Sequence, residues 1–423
     1  MFGPGRRFHA LGVTVIVAAY AAAWDCSGAE STSATEKKTP AADGDFPYPL
    51  AVKGPIPAPV VPPTESELTS SITRGVDFLL NSQRKSGAWG GPQRTKEMNI
   101  YAPVPGAHLA FRTGVTALAI EALIDSRDLF SENKQKAIDA ALDRGQTWML
   151  DNSNKLRRAE QEALYNVWGH AYAVQAVVLL HKRANGDDEL QTRLLDLVKY
   201  HVDHLKRYTF VNGGWGYYDF NAHTQVPSDS PNSFVTATVL LALKQAETLG
   251  VEYPPKLTKK AIDSMLRQRY PDFSYAYGEY LRMMPRMDIN RPGGSLGRSQ
   301  ACNLALRLFG DKYVTDDVLK AWLNRLYARN GWLSVGRKLP IPHESYFSVA
   351  GYFYYYGHYY AAKCIEELPA KDRPYFQDHL ARILMPLQEK DGSWWDYPLY
   401  DYHQTWGTAM TVSALVRCLH DAK

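Results

Sequence analysis

Carboxylates and histidines suited to general acid/base work gather at two places in this chain, His343-Glu344 and Asp401-Tyr402-His403. A carboxyl group beside an apolar wall has its pKa raised toward neutrality, and a nearby imidazole can then exchange protons with it or with a bound molecule. Asp229, within Ser228-Asp229-Ser230-Pro231-Asn232, is a third candidate, read either as a proton donor or as a helix cap. Asp219, His223, Asp288, Arg291 and Asp396 complete the loop groups. Beside the first pair runs Tyr352-Phe353-Tyr354-Tyr355-Tyr356-Gly357-His358-Tyr359-Tyr360. On a helix, Tyr352, Tyr355, Tyr356 and Tyr359 share one stripe, which either packs a core or offers flat rings and hydroxyls to a ligand. Arg298 and Trp406, near the starts of two further helices, are the other expected ligand contacts. His201 and His204 share a helical face among charged neighbours and read as solvated, so no metal is expected, nor any cofactor.

Holding these groups is the work of a repeated framework. Gln83-x-x-x-Gly87-x-Trp89 returns as Gln388-x-x-x-Gly392-x-Trp394, with Gly213-Gly214-Trp215 and Asn330-Gly331-Trp332 between them. The tryptophans are spaced by multiples of roughly sixty residues, long enough for one helical hairpin and a loop per unit. Apolar spacing and Gly or Pro punctuation predict helices over 65–82, 132–151, 187–208, 256–270, 315–329 and 372–388, each amphipathic with a charged face. Between them fall helices over 112–126, 160–184, 232–249, 298–309, 345–367 and 407–420, poor in charge and rich in small and apolar residues. Alternation of solvated and covered helices predicts an all-α (α/α)6 toroid of six hairpins. Connections from outer to inner helices are the long ones, so the elaborated loops collect at the N-terminal ends of the inner helices. Loops gathered on one face of a rigid scaffold are where binding and catalysis usually sit.

The Gln-Gly-Trp units, followed by small-residue helices such as Thr236-Ala237-Thr238-Val239-Leu240-Leu241-Ala242-Leu243, resemble the prenyltransferase and squalene-oxidase repeat family, which includes cyclases of the squalene-hopene type. The resemblance covers about residues 65–420 and implies the toroid fold. It also implies an apolar or polycyclic ligand in a central cavity. Three chemistries of such toroids lack their residues here: there is no Asp-x-Asp-Asp acid, no Asp-x-Cys zinc pair in the folded part, and no Cys-Gly-Glu-Gln thioester, only Ser299-Gln300-Ala301-Cys302. A secreted carbohydrate-active hydrolase or lyase using loop carboxylates is the alternative, and a non-catalytic scaffold for an envelope protein is a third.

Composition narrows the partners. Lys plus Arg (48) nearly balance Asp plus Glu (44) and the cations are scattered, which excludes a nucleic-acid footprint. Arg6-Arg7 before an apolar stretch over 11–23, ending Ala21-Ala22-Ala23, predicts a signal peptide over 1–23 and export to the periplasm or beyond. No later stretch reads as a transmembrane segment. Residues 24–64 turn to Ser, Thr, Ala, Lys and then proline, predicting a disordered semi-rigid linker ahead of a toroid over 65–423. Cys26 is a weak candidate for lipidation, and among the other cysteines only Cys364 and Cys418 are placed to pair.

Overall fold

Thr64 starts the first helix with a reciprocal cap: the Glu67 amide donates to Thr64 Oγ1 (3.2 Å) and the Thr64 amide to Glu67 Oε2 (2.8 Å). From there the computed structural model describes residues 46–96, 106–156, 166–217 and 230–420. Helices come in pairs: α1 (Glu65–Ser82) with α2 (Gly106–Ser126), α3 (Glu132–Asn152) with α4 (Asn166–Arg183), α5 (Asp188–Arg207) with α6 (Ser233–Glu247), and α7 (Pro255–Gln268) with α8 (Leu296–Leu308). The last two pairs are α9 (Asp316–Ala328) with α11 (Phe353–Glu366), the short α10 (Asn330–Ser334) lying between, and α12 (Arg373–Leu384) with α13 (His403–Val416).

The second members pack side by side in the order α2, α4, α6, α8, α11, α13, and α13 packs back on α2. That closure makes an inner ring of six helices with an outer layer around it. Outer helices bury one stripe, as α5 does with Leu194, Leu197, Val198, His201, Val202 and Leu205. Inner helices are covered nearly all round, α6 without interruption from Ser233 to Leu243. The stretch Gly106–Leu129, containing α2, is apolar and long enough to cross a bilayer, yet 78% of its apolar window is buried in the ring, which makes it a core helix.

Three turns tie the outer layer together. Trp89, Trp215 and Trp394 each donate Nε1–H to a carbonyl ten residues back, of Leu79, Leu205 and Leu384, at 2.7 to 2.9 Å. Each also donates its amide to a threonine of the following inner helix, Thr116, Thr236 or Thr408. Gln83 and Gln388 donate both to their own turn and to the next outer helix, at Ala141 O and Ser71 O respectively. The glycines Gly87, Gly213 and Gly392 have φ of +90°, +88° and +88°, and an added Cβ would lie 2.2, 2.3 and 2.4 Å from backbone oxygens of Arg144, Lys260 and Arg74. Nothing larger than glycine fits there.

A fourth turn repeats the bonds made by the main-chain N–H groups with different residues, while its ring donates elsewhere, Tyr275 Oη to Asn303 Oδ1. Tyr270 N donates to Ser274 O and Phe273 N to Tyr270 O; Phe273 holds the left-handed position (φ +62°), Tyr275 replaces tryptophan, and Ser295 replaces the threonine. By contrast Gly331 and Trp332, expected as a copy, are not one. Both lie in α10, where Gly331 has no left-handed φ and nothing within 4 Å of an added Cβ, and Trp332 is half-exposed against Phe347.

Two further expectations are corrected. Residues 47–64, read as part of a disordered linker, lie along the ring: Arg325 donates to the carbonyls of Leu50 and Lys53, Arg382 to those of Val61 and Pro62, and Ala51 is fully buried. Proline-rich backbone keeps its carbonyls free of internal hydrogen bonds, so guanidinium groups can take them. The helix expected from residue 345 begins instead at Phe353, because Phe347 (φ +60°) and Ser348 (φ +51°) break the helical path before it. The three described cysteines, Cys302, Cys364 and Cys418, are buried free thiols. Residues 1–23, and with them Cys26, lie outside the described residues.

Candidate functional site

The N-terminal ends of the inner helices form a mouth lined with rings. Trp168, in the first turn of α4 and half-exposed, stacks on Tyr172 (5.8 Å between centroids, 14° between planes) and meets Tyr217, Phe234 and Tyr356. Tyr172 in turn meets Trp406 of α13 edge to face at 5.7 Å. Phe234 of α6 touches Tyr277, which touches His343, and His343 touches Tyr352, whose ring meets Tyr397. The belt therefore runs from α13 through α4 and α6 to the loops before α11 and α13.

Strain concentrates in those last two loops. Six described non-glycine residues have left-handed φ, and five of them, Lys338, His343, Phe347, Ser348 and Tyr400, lie there. Such conformations cost about 1 to 3 kcal/mol each and persist where the surroundings hold them, commonly at working sites. The loop before α11 is held from outside: Lys338 N donates to Asp396 O, Tyr397 Oη donates to Pro340 O (3.0 Å), and Gly351 lies so close that a Cβ would sit 2.6 Å from Asp396 O.

Protonation states follow from the hydrogen bonds. His343 Nδ1 faces the Ser348 carbonyl (2.8 Å) and must donate, which leaves Nε2 to accept from Tyr352 Oη at 3.1 Å. The Tyr277 hydroxyl lies 3.2 Å from that of Tyr352, so imidazole and two phenols form one relay. Burial depresses the pKa of His343 against the pull of the Ser348 carbonyl, keeping the ring neutral. His403 is arranged alike, Nδ1 on Tyr400 O at 2.5 Å, and burial depresses its pKa too. Asp396 is buried, and its carboxyl is pushed up to about 7 by desolvation, against the Tyr355 amide it accepts from at 3.0 Å.

The expected site residues divide. Tyr352 and His343 meet in the relay. Trp406 lies in the belt. Asp229, with Asp219 and His223, falls outside the described residues. Glu344 is exposed at the rim and Asp401 is taken by Arg84, so neither converges on His343. His403 contacts Trp395 and Tyr400 rather than the relay, and the two clusters are separate among the described residues. Arg298 is not a ligand contact: its guanidinium donates to the carbonyls of Tyr275, Gly294 and Ile289, and it is buried. Tyr355, Tyr356 and Tyr359 are buried in the ring. Tyr356 bonds Thr238 and Phe234 O, and Tyr359 donates to both oxygens of Glu121 at 2.8 Å. His201 is buried, against the expectation of solvation, with its Nδ1 2.8 Å from His170 Nδ1.

Sequence reasoning passed over Trp168, Tyr172 and Tyr277. Trp168 and Tyr172 share a helical face at i and i+4, a visible signal; Tyr277 carries none, because it reaches the mouth from an irregular loop.

Solved structures share this architecture. The GH76A α-1,6-mannanase of Salegentibacter sp. HEL1_6 aligns over 82% of this chain and 99% of its own at a TM-score of 0.50 and 12% identity. Its variant inactivated at two consecutive aspartates, in complex with α-1,6-mannotetrose, aligns over the same shares at 0.51 and 11%. The cellobiose 2-epimerase of Spirochaeta thermophila aligns over 84% and 99% at 0.47 and 15%. The chain is an α/α toroid. No protein-family profile matches its sequence, and no curated protein does. Among the described residues, this toroid's consecutive aspartates, Asp187-Asp188 and Asp316-Asp317, lie at the N-terminal ends of the outer helices α5 and α9, Asp187 as a cap and the others in the first turn.

Proposed function

We propose that this toroid is an exported carbohydrate-active protein that binds a glycan across the aromatic mouth, with His343 as its proton-transferring group. The belt of Trp168, Tyr217, Tyr352 and Trp406 supports glycan binding, since flat rings pack on sugar faces while phenols bond hydroxyls. His343 carries the chemical part of the reading: a neutral imidazole with an acceptor nitrogen, linked to Tyr352 and Tyr277, is an acid/base relay at the mouth. The described carboxylates favour a lyase or isomerase type of proton transfer over hydrolysis. Hydrolysis needs two carboxyl groups facing one bond at about 5 to 10 Å, and Asp396, Asp401 and Glu344 are respectively buried, ion-paired and exposed. The mannanase structures, one holding a mannooligosaccharide, support the glycan ligand and not the reaction type. Arg6-Arg7 and the apolar run over 11–23 support export.

The test is calorimetric titration of α-1,6-mannotetraose, cellotetraose, maltotetraose and xylotetraose, with product analysis by mass spectrometry. Binding of one of them that is lost in Trp168→Ala, with turnover but not binding lost in His343→Gln, is the expected outcome. No binding to any glycan in a broad array would refute it. The tied Gln-Gly-Trp turns favour a second reading, kinship with the prenyltransferase and squalene-oxidase repeats and an apolar ligand in the same place; co-purified lipid identified by mass spectrometry is its test.

A further inference from the structure

At the C-terminal ends of the inner helices, away from the mouth, lies a cavity of about 240 Å³. Its polar wall comes from Asp125 of α2, Glu366 of α11, Arg373 and Gln377 of α12, and Arg417 just past α13. One water needs about 10 to 15 Å³ for its centre, so this space admits a small organic molecule. The donors in the wall are already engaged. Arg417 donates Nη1 to Asp125 Oδ2 and to the Ser413 carbonyl, and its Nε lies 3.1 Å from Glu366 Oε2. Arg373 donates Nε and Nη2 to the carbonyls of Leu368 and Glu366, both at 2.8 Å.

The acceptors are not. Gln377 is only 7% exposed, and its Nε2 donates to the carbonyls of Arg417 and Leu419, which fixes the amide and leaves Oε1 without a donor among the described residues. An amide oxygen so deeply placed normally has a partner. Asp125 takes Ser413 and Arg417 on Oδ2, and Glu366 meets Arg417 through Oε2, so Oδ1 and Oε1 of these carboxylates are unbonded as well. Three acceptors from three helices call for a donor-rich guest. The field favours a positive one: Asp125 and Glu366 balance Arg373 and Arg417 in formal charge, while α2, α11 and α13 all end at this wall, each with about half a negative charge on its last carbonyls. A metal ion fits less well, because among the described residues no three carboxylates, imidazoles or thiols gather to ligate one. We propose that this cavity binds a small organic cation, a primary amine or diamine, whose ammonium is received by Asp125, Glu366 and Gln377 while Val416 and Leu419 cover its methylenes. The site shares no residue with the mouth and does not depend on the glycan reading.

Calorimetric titration of the unaltered protein with 1,4-diaminobutane, 1,4-butanediol and succinate separates charge from shape, since the three have the same carbon chain. The diamine should bind, and the diol and the dicarboxylate should bind at least about tenfold more weakly. Glu366→Gln keeps an oxygen but removes the charge of a half-exposed side chain, so it should weaken the diamine about tenfold with an unchanged far-ultraviolet spectrum. Leu419→Trp fills the space and should abolish binding; if that variant does not fold, the three probes and Glu366→Gln decide the matter. No diamine binding, equal binding of diamine and succinate, or full diamine affinity in Glu366→Gln would overturn the site. Any of these results would leave the glycan reading of the mouth standing.

Discussion

Replacing the repeat glycines tests the architecture against its own internal control. Gly87→Ala forces a Cβ into a left-handed residue, at about 1 to 2 kcal/mol, and sets it 2.2 Å from Arg144 O on the neighbouring outer helix. Relief requires the two helices to part by about 1 Å, an overpacking cost of about 1 to 3 kcal/mol. The sum is about 3 kcal/mol. For about 375 folded residues the unfolding entropy is ~0.8 kcal/mol/K, so the midpoint should fall by ~4 °C. Gly213→Ala and Gly392→Ala should match it, since their Cβ atoms meet Lys260 O and Arg74 O at 2.3 and 2.4 Å. Gly331→Ala lies in a helix with open space around it, where alanine is favoured over glycine by about 0.5 to 1 kcal/mol, so its midpoint should hold or rise by ~1 °C. Thermal melts followed by circular dichroism at 222 nm separate the two groups. Equal damage from Gly331→Ala and Gly87→Ala would refute the assignment of the tied turns.

Glu121→Gln should cost about 3 to 5 kcal/mol by stranding the Lys363 ammonium, and adding Lys363→Met should recover part of it; no recovery in urea denaturation of the double variant would mean the pair is not the source. Burial, aided by His204, pushes the His201 pKa down to about 3. The unfolded chain then binds the extra proton below pH ~6.5, and stability should drop by ~2 kcal/mol between pH 6.5 and 5 from this group alone, a slope that His201→Gln should remove. Asp396 has the opposite sign. With its carboxyl pushed up to about 7, the folded state holds a proton the unfolded state has lost, so wild-type stability falls as pH rises from about 4 to 7. Asp396→Asn keeps an acceptor for the Tyr355 amide, and its advantage over the wild type should grow by ~2 kcal/mol between pH 5 and 6.5, then level off; a pH-independent difference in urea midpoints would refute the assignment.

The ring was legible because its joints use residues with few alternatives. Glycine at a left-handed position and tryptophan reaching ten residues back leave a spacing that survives in Gln83 to Trp89 and Gln388 to Trp394. The turn from Tyr270 to Tyr275 was hidden because Phe273 tolerates φ +62° when its ring packs on Tyr48 and beneath Arg269, a compensation no spacing reports. Gly331-Trp332 misled for the converse reason, carrying the residue types without the turn. His201 looked solvated from its charged neighbours, yet it falls on the stripe of Leu194, Leu197, Val198 and Leu205 that α5 buries. Legibility was poorest at the mouth. His343 and Tyr352 were both visible as candidates, but their meeting depends on the left-handed turns at His343, Phe347 and Ser348 that bring the loop back on itself.

The two ends of the inner ring are built from different materials, and this sets the chemistry of ligand that each end suits. At the C-terminal ends, Glu121 and Asp125 of α2, Lys363 and Glu366 of α11 and Arg417 after α13 pair across helices, with Glu121 buried among them. Carboxylates near helix C-termini oppose the helix dipole, so they persist there because the paired cations hold them, and opening that end would strand buried charge. At the N-terminal ends there are rings and neutral imidazoles, and the ion pairs of the strained loops, Arg84 with Asp401 and Lys338 with Glu389, are partly exposed rather than buried. The C-terminal ends are not closed, since a cavity of about 240 Å³ lies there among Asp125, Glu366, Arg373, Gln377 and Arg417, so a charged lining at one end faces an aromatic one at the other. On the proposed glycan reading an uncharged ligand suits the aromatic end, where Trp168, Trp406, Tyr352 and His343 would meet it, because the charged end would have to give up its ion pairs to an uncharged guest.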